Sequence, residues 1–234
     1  MDEFTAVGSL ADPVRRRVYD FVAAQDDAVG REETAAATGL PQHTVRFHLE
    51  RLVAEGLLAT DFRRLSGRTG PGAGRPAKLY CRAEREVAVS LPPRSYDLVG
   101  SVLAAAVASS LAGESLPTAL SVESRRRGQL AGESYDGAGD DVERTRGLME
   151  REGFEPAAED DGLTLRNCPF DALAHEQPAL VCGMNRDFVE GALEGLGCQG
   201  LVARLDPGEG RCCVRVGHDD EHDQRSRRTT DRAG

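Results

Sequence analysis

The chain has 234 residues, of which 40% are hydrophobic, and this length is enough for one or two domains with a proper core. No apolar run reaches the roughly 18 residues of a membrane span, and the first residues lack the basic-then-apolar pattern of a secretion signal. We therefore expect a cytoplasmic protein and no contact with a membrane. Six cysteines in such a protein favour metal or redox chemistry over a disulfide framework.

The formal net charge of −10 at first argues against nucleic acid as a partner. The charges are unevenly distributed, however. Residues 41–82 carry eight Lys and Arg against three Asp and Glu, whereas residues 91–234 carry 16 against 26. A basic segment on an acidic chain is typical of a protein that binds DNA at one place.

The first elements in the chain are helical. Residues 10–24 have helical spacing, and Asp12-Pro13 is typical of an N-cap followed by proline at the first helical position. A short helix from Arg31 to Thr38 ends at Gly39, and a longer helix follows over residues 41–55. Two short helices, a turn with glycine and a longer helix form the order of a helix-turn-helix.

The longer helix has two different faces. Val45, Leu49, Leu52 and Val53 form one apolar stripe at helical spacing. Phe47 lies roughly 200° around the helix from Val45, at about 100° per residue, so the core stripe cannot bury it. An exposed aromatic side chain among arginine, glutamine and histidine indicates a helix that presses against a partner, and duplex DNA is the first candidate.

A basic hairpin follows this helix. Residues 57–64 and 77–82 are predicted strands, and the loop between them is rich in glycine. Arg68, Arg75 and Lys78 lie in or beside that loop, where basic side chains can approach phosphates closely. A hairpin in this position is a wing.

Three stretches, Ser9–Arg16, Thr44–Leu52 and Gly74–Tyr80, resemble the ArsR-type winged-helix transcriptional regulators. The resemblance covers roughly the first 90 residues and implies a double-stranded DNA operator as partner. It implies that the following residues face the major groove: Gln42, His43, Thr44, Arg46, Phe47 and Arg51. It also implies that Arg75 and Lys78 hold the DNA backbone or the minor groove. A winged helix that binds another protein remains the alternative.

Residues 91–134 are predicted to be helical. An apolar, alanine-rich helix over residues 95–112 is too short to span a bilayer, and residues 117–132 form its expected partner helix. Because helix-turn-helix proteins usually read two half-sites as dimers, we expect a homodimer interface here. The alternative is an ordinary core helix of the second domain.

The remaining chain predicts a small α+β domain. A linker at residues 135–139 precedes a helix, a strand pair, a second helix over 178–196 and a second strand pair. The polar residues that follow lack periodicity and predict a disordered tail. The predicted fold class is therefore α+β, in four parts: a winged helix-turn-helix (1–90), dimerisation helices (91–134), a cysteine-rich sensor domain (135–217) and a disordered tail (218–234).

Five of the six cysteines lie in this last domain, near the ends of predicted elements: Cys168, Cys182, Cys198, Cys212 and Cys213. Their wide spacing does not fit the paired knuckles of structural zinc. Two features favour thiolates: Cys182 is expected in the first turn of a helix, and Arg211 and Arg215 flank the adjacent pair. Because neighbouring strand residues point to opposite faces, at most one of Cys212 and Cys213 is an expected ligand.

The carboxy-terminal spacing is similar to that of the SufR-like branch of these regulators, which holds an iron–sulfur cluster through widely spaced cysteines. The resemblance implies that Cys168, Cys182 and Cys212 are ligands. Cys198, Cys213, His175 or a carboxylate remains open as the fourth. Zinc, thiol redox sensing, a small organic effector or simple burial of the cysteines are the alternatives.

The sequence thus predicts a homodimeric transcriptional regulator, a repressor by preference, controlled by its cysteine-rich domain. An enzyme is not expected. Cys168 with His175 is the one nearby nucleophile–base pair, and no third residue is evident to orient it.

Overall fold

Residues 3–64, 76–159 and 162–218 are described by a computed structural model, and the chain divides into two units, 1–89 and 90–234. Arg68 and Arg75 of the predicted wing loop, and the predicted tail from residue 219 onward, lie outside the described residues. The mixture of helices and antiparallel sheets confirms the predicted α+β class.

The first unit is a set of helices beside a small antiparallel sheet with strand order β1-β3-β2. Its elements are α1 (Glu3–Ser9), α2 (Pro13–Ala23), β1 (Val29–Gly30), α3 (Arg31–Thr38), α4 (Gln42–Ala54), β2 (Leu58–Arg63) and β3 (Ala77–Arg82). The predicted helices and both hairpin strands are present. Two elements were missed, α1 and β1, because both are too short to display a periodic pattern.

Local chemistry accounts for the ends of these helices. The Asp12 carboxylate accepts hydrogen bonds from the backbone N–H groups of Val14 (2.8 Å) and Arg15 (3.1 Å) and so caps α2. Gly39 ends α3 with a φ of 66°, a backbone conformation that other residues adopt only at a cost. Val18, Val22 and the apolar stripe of α4 form the core between the helices.

The second unit packs five helices on a four-stranded antiparallel sheet with strand order β4-β5-β7-β6, counted over its described residues. Its elements are α5 (Tyr96–Leu111), α6 (Leu116–Glu133), α7 (Asp141–Arg151), β4 (Pro156–Glu159), β5 (Gly162–Leu165), α8 (Asp171–Glu176), α9 (Pro178–Leu196), β6 (Leu201–Leu205) and β7 (Val214–His218). Helix α9 supplies ten of the buried residues and lies at the centre of this core.

Helices α6 and α9 pack backbone against backbone. A Cβ atom on Gly128 would lie 1.9 Å from the carbonyl oxygen of Phe188, and one on Gly191 would lie 2.0 Å from that of Arg125. Only glycine permits such an approach at these positions. Movement of α9 is therefore transmitted directly to α6.

The structure modifies several predicted boundaries. Helices α5 and α6, predicted as a separate region, contribute Val102 and Leu120 to the same core as the predicted sensor domain, because each buries one face against it. Strand β7 begins at Val214, after the paired cysteines, and includes His218, which was assigned to the tail. Among the described residues, no helix combines the length and the apolar character that crossing a membrane would require.

Candidate DNA-binding helix and cysteine cluster

Helix α4 has the two faces that its sequence predicts. Val45, Leu49 and Leu52 are completely buried, whereas the side chain of Phe47 is 63% exposed. The predicted DNA-contacting residues of this helix lie on the open face: Gln42, His43, Arg46, Phe47 and Arg51 are exposed, and Thr44 is half-buried. Arg51 Nη2 lies 2.6 Å from a carboxylate oxygen of Glu55, one turn later. That the open face contacts DNA stays a prediction.

Lys78, predicted to contact DNA from β3, is engaged within the unit. Its Nζ atom lies 2.7 Å from both carboxylate oxygens of Glu50 on α4, and the Tyr80 hydroxyl donates to the same carboxylate at 2.8 Å. The hydrogen bond from Lys78 lowers the pKa of Glu50. Burial, and then the bond to Glu50, raises the pKa of Tyr80 to about 12. This triad ties the open face of α4 to the hairpin.

His48 anchors the buried side of α4 to α2. It is 6% exposed, and its Nδ1 atom accepts a hydrogen bond from Nε of Arg15 at 3.4 Å. Burial lowers the pKa of the imidazole, and the nearby charge of Asp12 opposes this shift only in part. His48 is thus an acceptor inside the fold and lies on the buried side of α4.

Four of the cysteines come together in the second unit. The backbone N–H of Cys212 donates to the carbonyl of Leu165 at the end of β5 (2.8 Å), which lies three residues before Cys168. The side-chain amide of Asn185 donates to the sulfur of Cys212 at 3.1 Å. Asn185 lies three residues after Cys182, on the same side of α9. The thiols form a chain of neighbouring pairs, Cys168 with Cys212, Cys212 with Cys213, and Cys213 with Cys182.

The thiols of this cluster influence one another. The pKa of Cys168 is raised far above its ordinary value, first by its hydrogen bond to Cys212 and then by burial. The pKa of Cys212 rises to about 11, because its own bond to Cys213 and its burial outweigh the bond that it accepts from Cys168. Burial also raises the pKa of Cys182, against the hydrogen bond that it accepts from Cys213. We name Cys168, Cys182, Cys212 and Cys213 the cysteine cluster.

Two sequence-based expectations about this cluster are wrong. The strand begins only at Val214, so Cys212 and Cys213 precede β7 and the alternation of a strand does not apply to them. The pKa values of Cys168, Cys182 and Cys212 are raised rather than lowered. Cys182 is the fifth residue of α9, beyond its first turn, and Arg211 and Arg215 form ion pairs with Asp206 and Glu159.

Cys198 lies apart from the cluster. It follows the opposite end of α9, and 16 residues at a helical rise of 1.5 Å place it about 24 Å from Cys182. Its sulfur contacts the hydroxyl of Thr145 (3.6 Å) and the carbonyl of Asp141 (3.8 Å). His175 is also exposed, and its ring contacts Asp171. Cys198 is therefore not placed to complete the cluster.

The four thiols are not arranged as a completed site for a metal ion. Within the described ranges, no group of three or more His, Cys, Asp or Glu side chains has that geometry. Binding of any metal centre, whether one ion or a cluster, would therefore require the loops that carry Cys168, Cys212 and Cys213 to adjust. Four thiols with an amide donor beside one of them are a soft donor set, of the kind that iron–sulfur clusters, zinc and copper(I) share.

Three residues with contacts at these sites were not predicted from the sequence. They are Glu50, which binds Lys78, Arg94, which donates to the carbonyl of Cys168, and Asn185, which donates to Cys212. Asn185 could have been found. It occupies the position four residues after Val181 in the apolar stripe of α9, where a carboxamide is costly unless it has a partner.

Comparison with known protein families identifies the type of domain in the first unit. Residues 10–61, which include α2, α3 and α4, match the family model of a helix-turn-helix domain. This match covers 52 of the 234 residues and does not extend to the cysteine cluster. No match was found among curated protein sequences or among solved structures. A helix-turn-helix domain supports a DNA-binding transcriptional regulator, and points away from an enzyme.

Proposed function

We propose that the chain is a homodimeric, DNA-binding transcriptional regulator whose cysteine cluster controls operator binding. The observation that carries the DNA-binding part is the match of residues 10–61 to a helix-turn-helix domain, with α4 presenting a polar, partly aromatic face. The convergence of four cysteines carries the sensing part. Such a regulator acts in the cytoplasm, where the DNA is, and we expect it to be a repressor.

Helix α4 reads the operator in this proposal. Arginine and glutamine side chains, here Arg46 and Gln42, pair with base edges in the major groove, and Phe47 meets a thymine methyl group. Lys78 on β3 and Arg75 in the adjoining loop would hold phosphates, which adds affinity without sequence preference. The excess of Lys and Arg over Asp and Glu in residues 41–82 supports contact of this segment with DNA.

The sensor is the cysteine cluster with a bound iron–sulfur cluster. Cys168, Cys182, Cys212 and Cys213 would supply the four thiolates, which makes Cys213 the fourth ligand. When bound, the iron–sulfur group supplies a centre that responds to oxidants and to iron supply. Three of the four sulfurs belong to loops that follow β5 or precede β7, so a change at the site moves those loops first.

Arg94 provides a route from the cluster to the start of the second unit. Its Nη1 atom donates to the Asn167 side chain (2.6 Å) and to the carbonyl of Cys168 (3.2 Å). Asn167 in turn donates to the carbonyl of Pro93 (3.1 Å). The segment that follows the first unit in the chain is therefore held by the loop of Cys168. A coupling of about 1–3 kcal/mol along this route would change operator occupancy without unfolding either unit.

In the alternative, the chain is still a DNA-binding regulator. Its second unit then binds zinc or a small organic effector, and the cysteines are structural. The raised pKa values of Cys168 and Cys182 favour the protonated form of these two thiols, as structural cysteines also require. The metal content of the purified protein distinguishes these possibilities.

The test of the sensor is anaerobic purification followed by measurement of the visible spectrum and of iron, sulfide and zinc. Iron and sulfide in the wild type, and their loss in Cys213→Ser, are expected. Cys198→Ser is the matched control and retains both. A colourless protein with one zinc per chain would end the cluster proposal, and a metal-free protein would favour an organic effector.

The test of the DNA-binding unit compares Arg46→Ala with Arg75→Ala on operator and random duplexes. Arg46→Ala should weaken operator binding and relax sequence preference. Arg75→Ala should weaken all sequences alike and reduce the salt slope by about 0.9, because one phosphate contact is lost. Equal, sequence-independent losses from both substitutions would show that α4 is not the reading helix.

A further inference from the structure

Asn185 is a polar residue in the most apolar part of the second unit. It is 1% exposed and lies among Val181, Met184 and Phe188 on the buried face of α9. A buried carboxamide costs free energy unless both its donor and its acceptor are hydrogen-bonded. For packing alone, leucine would serve this position better. The reason for the asparagine must lie in what its amide contacts.

One half of the carboxamide has a partner. Its Nδ2 atom lies 3.1 Å from the sulfur of Cys212, which is itself 1% exposed. An N–H group directed at a sulfur stabilises that sulfur most when it carries negative charge, as it does when it binds a metal centre. Hydrogen bonds of this kind orient the ligand and adjust the centre that it binds.

The other half faces a small cavity. Oδ1 of Asn185 and Oγ of Ser124 on α6 are both buried and have no hydrogen-bond partner among the described residues. Both residues line the same cavity of about 10 Å³, whose other walls are apolar, including Val102 and Phe170. That volume suits a single water molecule, which needs at least two polar partners. The cavity offers two, one from each helix.

We propose that Asn185 is the positioning residue of the cysteine cluster: its amide donates to the Cys212 sulfur when that sulfur is a ligand, and one water bound between Asn185 and Ser124 keeps the amide in that orientation. This inference rests on the proposed function, because it gives Cys212 a ligand's role. It adds an interaction that the spacing of the cysteines does not predict. The water also connects α6 to the cluster.

In the test, cobalt(II) is titrated into the full-length, reduced, metal-free chain. Binding is followed by the thiolate-to-cobalt absorption. Asn185→Leu should weaken cobalt binding roughly tenfold or more, since loss of such partners costs 10- to 100-fold in metal affinity. Its unfolding midpoint in urea should equal or exceed that of the wild type, because leucine fills the same space without a buried polar group. If Asn185 only stabilised the fold, Asn185→Leu would leave cobalt affinity unchanged and would lower the unfolding midpoint in urea.

Ser124→Ala tests the water. It should weaken cobalt binding by a smaller factor than Asn185→Leu, whereas Ser121→Ala, one turn earlier in α6, serves as the control and should leave it unchanged. Equal cobalt affinity of Asn185→Leu and the wild type would overturn the inference, and an unchanged Ser124→Ala would overturn the role of the water. Failure of the proposed function looks different, since then the wild type itself binds neither cobalt(II) nor an iron–sulfur cluster.

Discussion

At the scale of single residues, the carboxylate of Glu50 determines how the DNA-binding face presents its charge. It lies on the open side of α4 and holds Lys78 at 2.7 Å through both oxygens. A lysine in such a pair contributes less positive charge to an approaching phosphate. In the proposed complex Glu50 would therefore compete with DNA for Lys78, and the exposure of Glu50 keeps the pair open to screening by salt.

Glu50→Gln should tighten DNA binding. The substitution removes the negative charge and releases Lys78 for one phosphate contact, so the salt slope should steepen by about 0.9. The measurement is affinity for a random duplex across a series of salt concentrations. In a Lys78→Ala background the same substitution should have a much smaller effect, and an unchanged slope in the single variant would show that Lys78 does not reach DNA.

His48 should make the first unit less stable in mild acid. Its folded pKa is lowered from 6.5, so between the two values the unfolded chain binds more protons than the folded one. The contribution of His48 to the free energy of unfolding is therefore complete above about pH 6.5, and it declines as the pH falls toward the pKa of His48 in the folded chain. The protection of α4 amides against hydrogen–deuterium exchange should fall from pH 7.5 to 5.5, once the slower intrinsic exchange at lower pH is corrected for.

His48→Gln should remove most of this pH dependence at some cost in stability at neutral pH. His175→Gln, at a side chain that is 78% exposed, is the control and should retain the wild-type dependence. If α4 exchange were equally sensitive to pH in the wild type and in His48→Gln, another group would be responsible.

At the scale of elements, the pair formed by α6 and α9 determines the rigidity of the second unit. Gly128 and Gly132 of α6 face Gly191 and Gly195 of α9, and each would place a Cβ atom within 2.4 Å of a carbonyl oxygen of the other helix. The four glycines cost helix propensity, and they permit a backbone contact that no larger residue allows. Helix α9 carries both Cys182 and Asn185, so its position relative to α6 matters for the cluster.

Gly191→Ala should destabilise the second unit by about 2 kcal/mol or more, because overpacking against backbone cannot relax by a change of rotamer. Gly183→Ala is the matched control in the same helix. Its Cβ would meet nothing within 4 Å, so it should stabilise by up to about 1 kcal/mol through helix propensity. Urea unfolding followed by circular dichroism compares the two. Similar effects of both substitutions would contradict the close contact.

At the scale of the whole molecule, the proposed dimer has a specific candidate surface. Val99, Val102 and Ala106 of α5 are buried in the core, whereas Val107 and Leu111 on the same helix are 48% and 86% exposed. Helix α5 can therefore be both a core helix and part of a dimer interface, because one face packs in the core and the other remains exposed. A dimer would bring two copies of α4 to two half-sites.

Val107→Glu combined with Leu111→Glu should convert the dimer to monomer, since charge at the centre of an apolar interface is costly. Sedimentation equilibrium measures the change, and operator affinity should fall with it because a monomer contacts one half-site. Leu205→Glu, at an exposed apolar position of β6, is the control. A double variant that sediments as a dimer would place the interface elsewhere.

Local patterns were sufficient for most of the elements. The N-cap at Asp12, the glycine end at Gly39 and the apolar stripe of α4 depend on neighbours within a few residues, and the structure has each of them. The short elements α1, β1 and α8 were not predictable, since elements of two to seven residues contain too little periodicity. Helix α5 was apolar on more than one side, and no local rule tells a core face from an exposed one.

The sequence by itself determined the helix-turn-helix order, the face of α4 that carries Phe47, and which residues are the cysteines. The tertiary structure decided which of those cysteines meet: Cys213 joins the cluster, and Cys198 lies at the far end of a 19-residue helix. It also paired Asn185 with Cys212 and Glu50 with Lys78, across 27 and 28 residues of chain. Helix spacing acts over one or two turns, whereas contacts between distant segments depend on how whole elements pack.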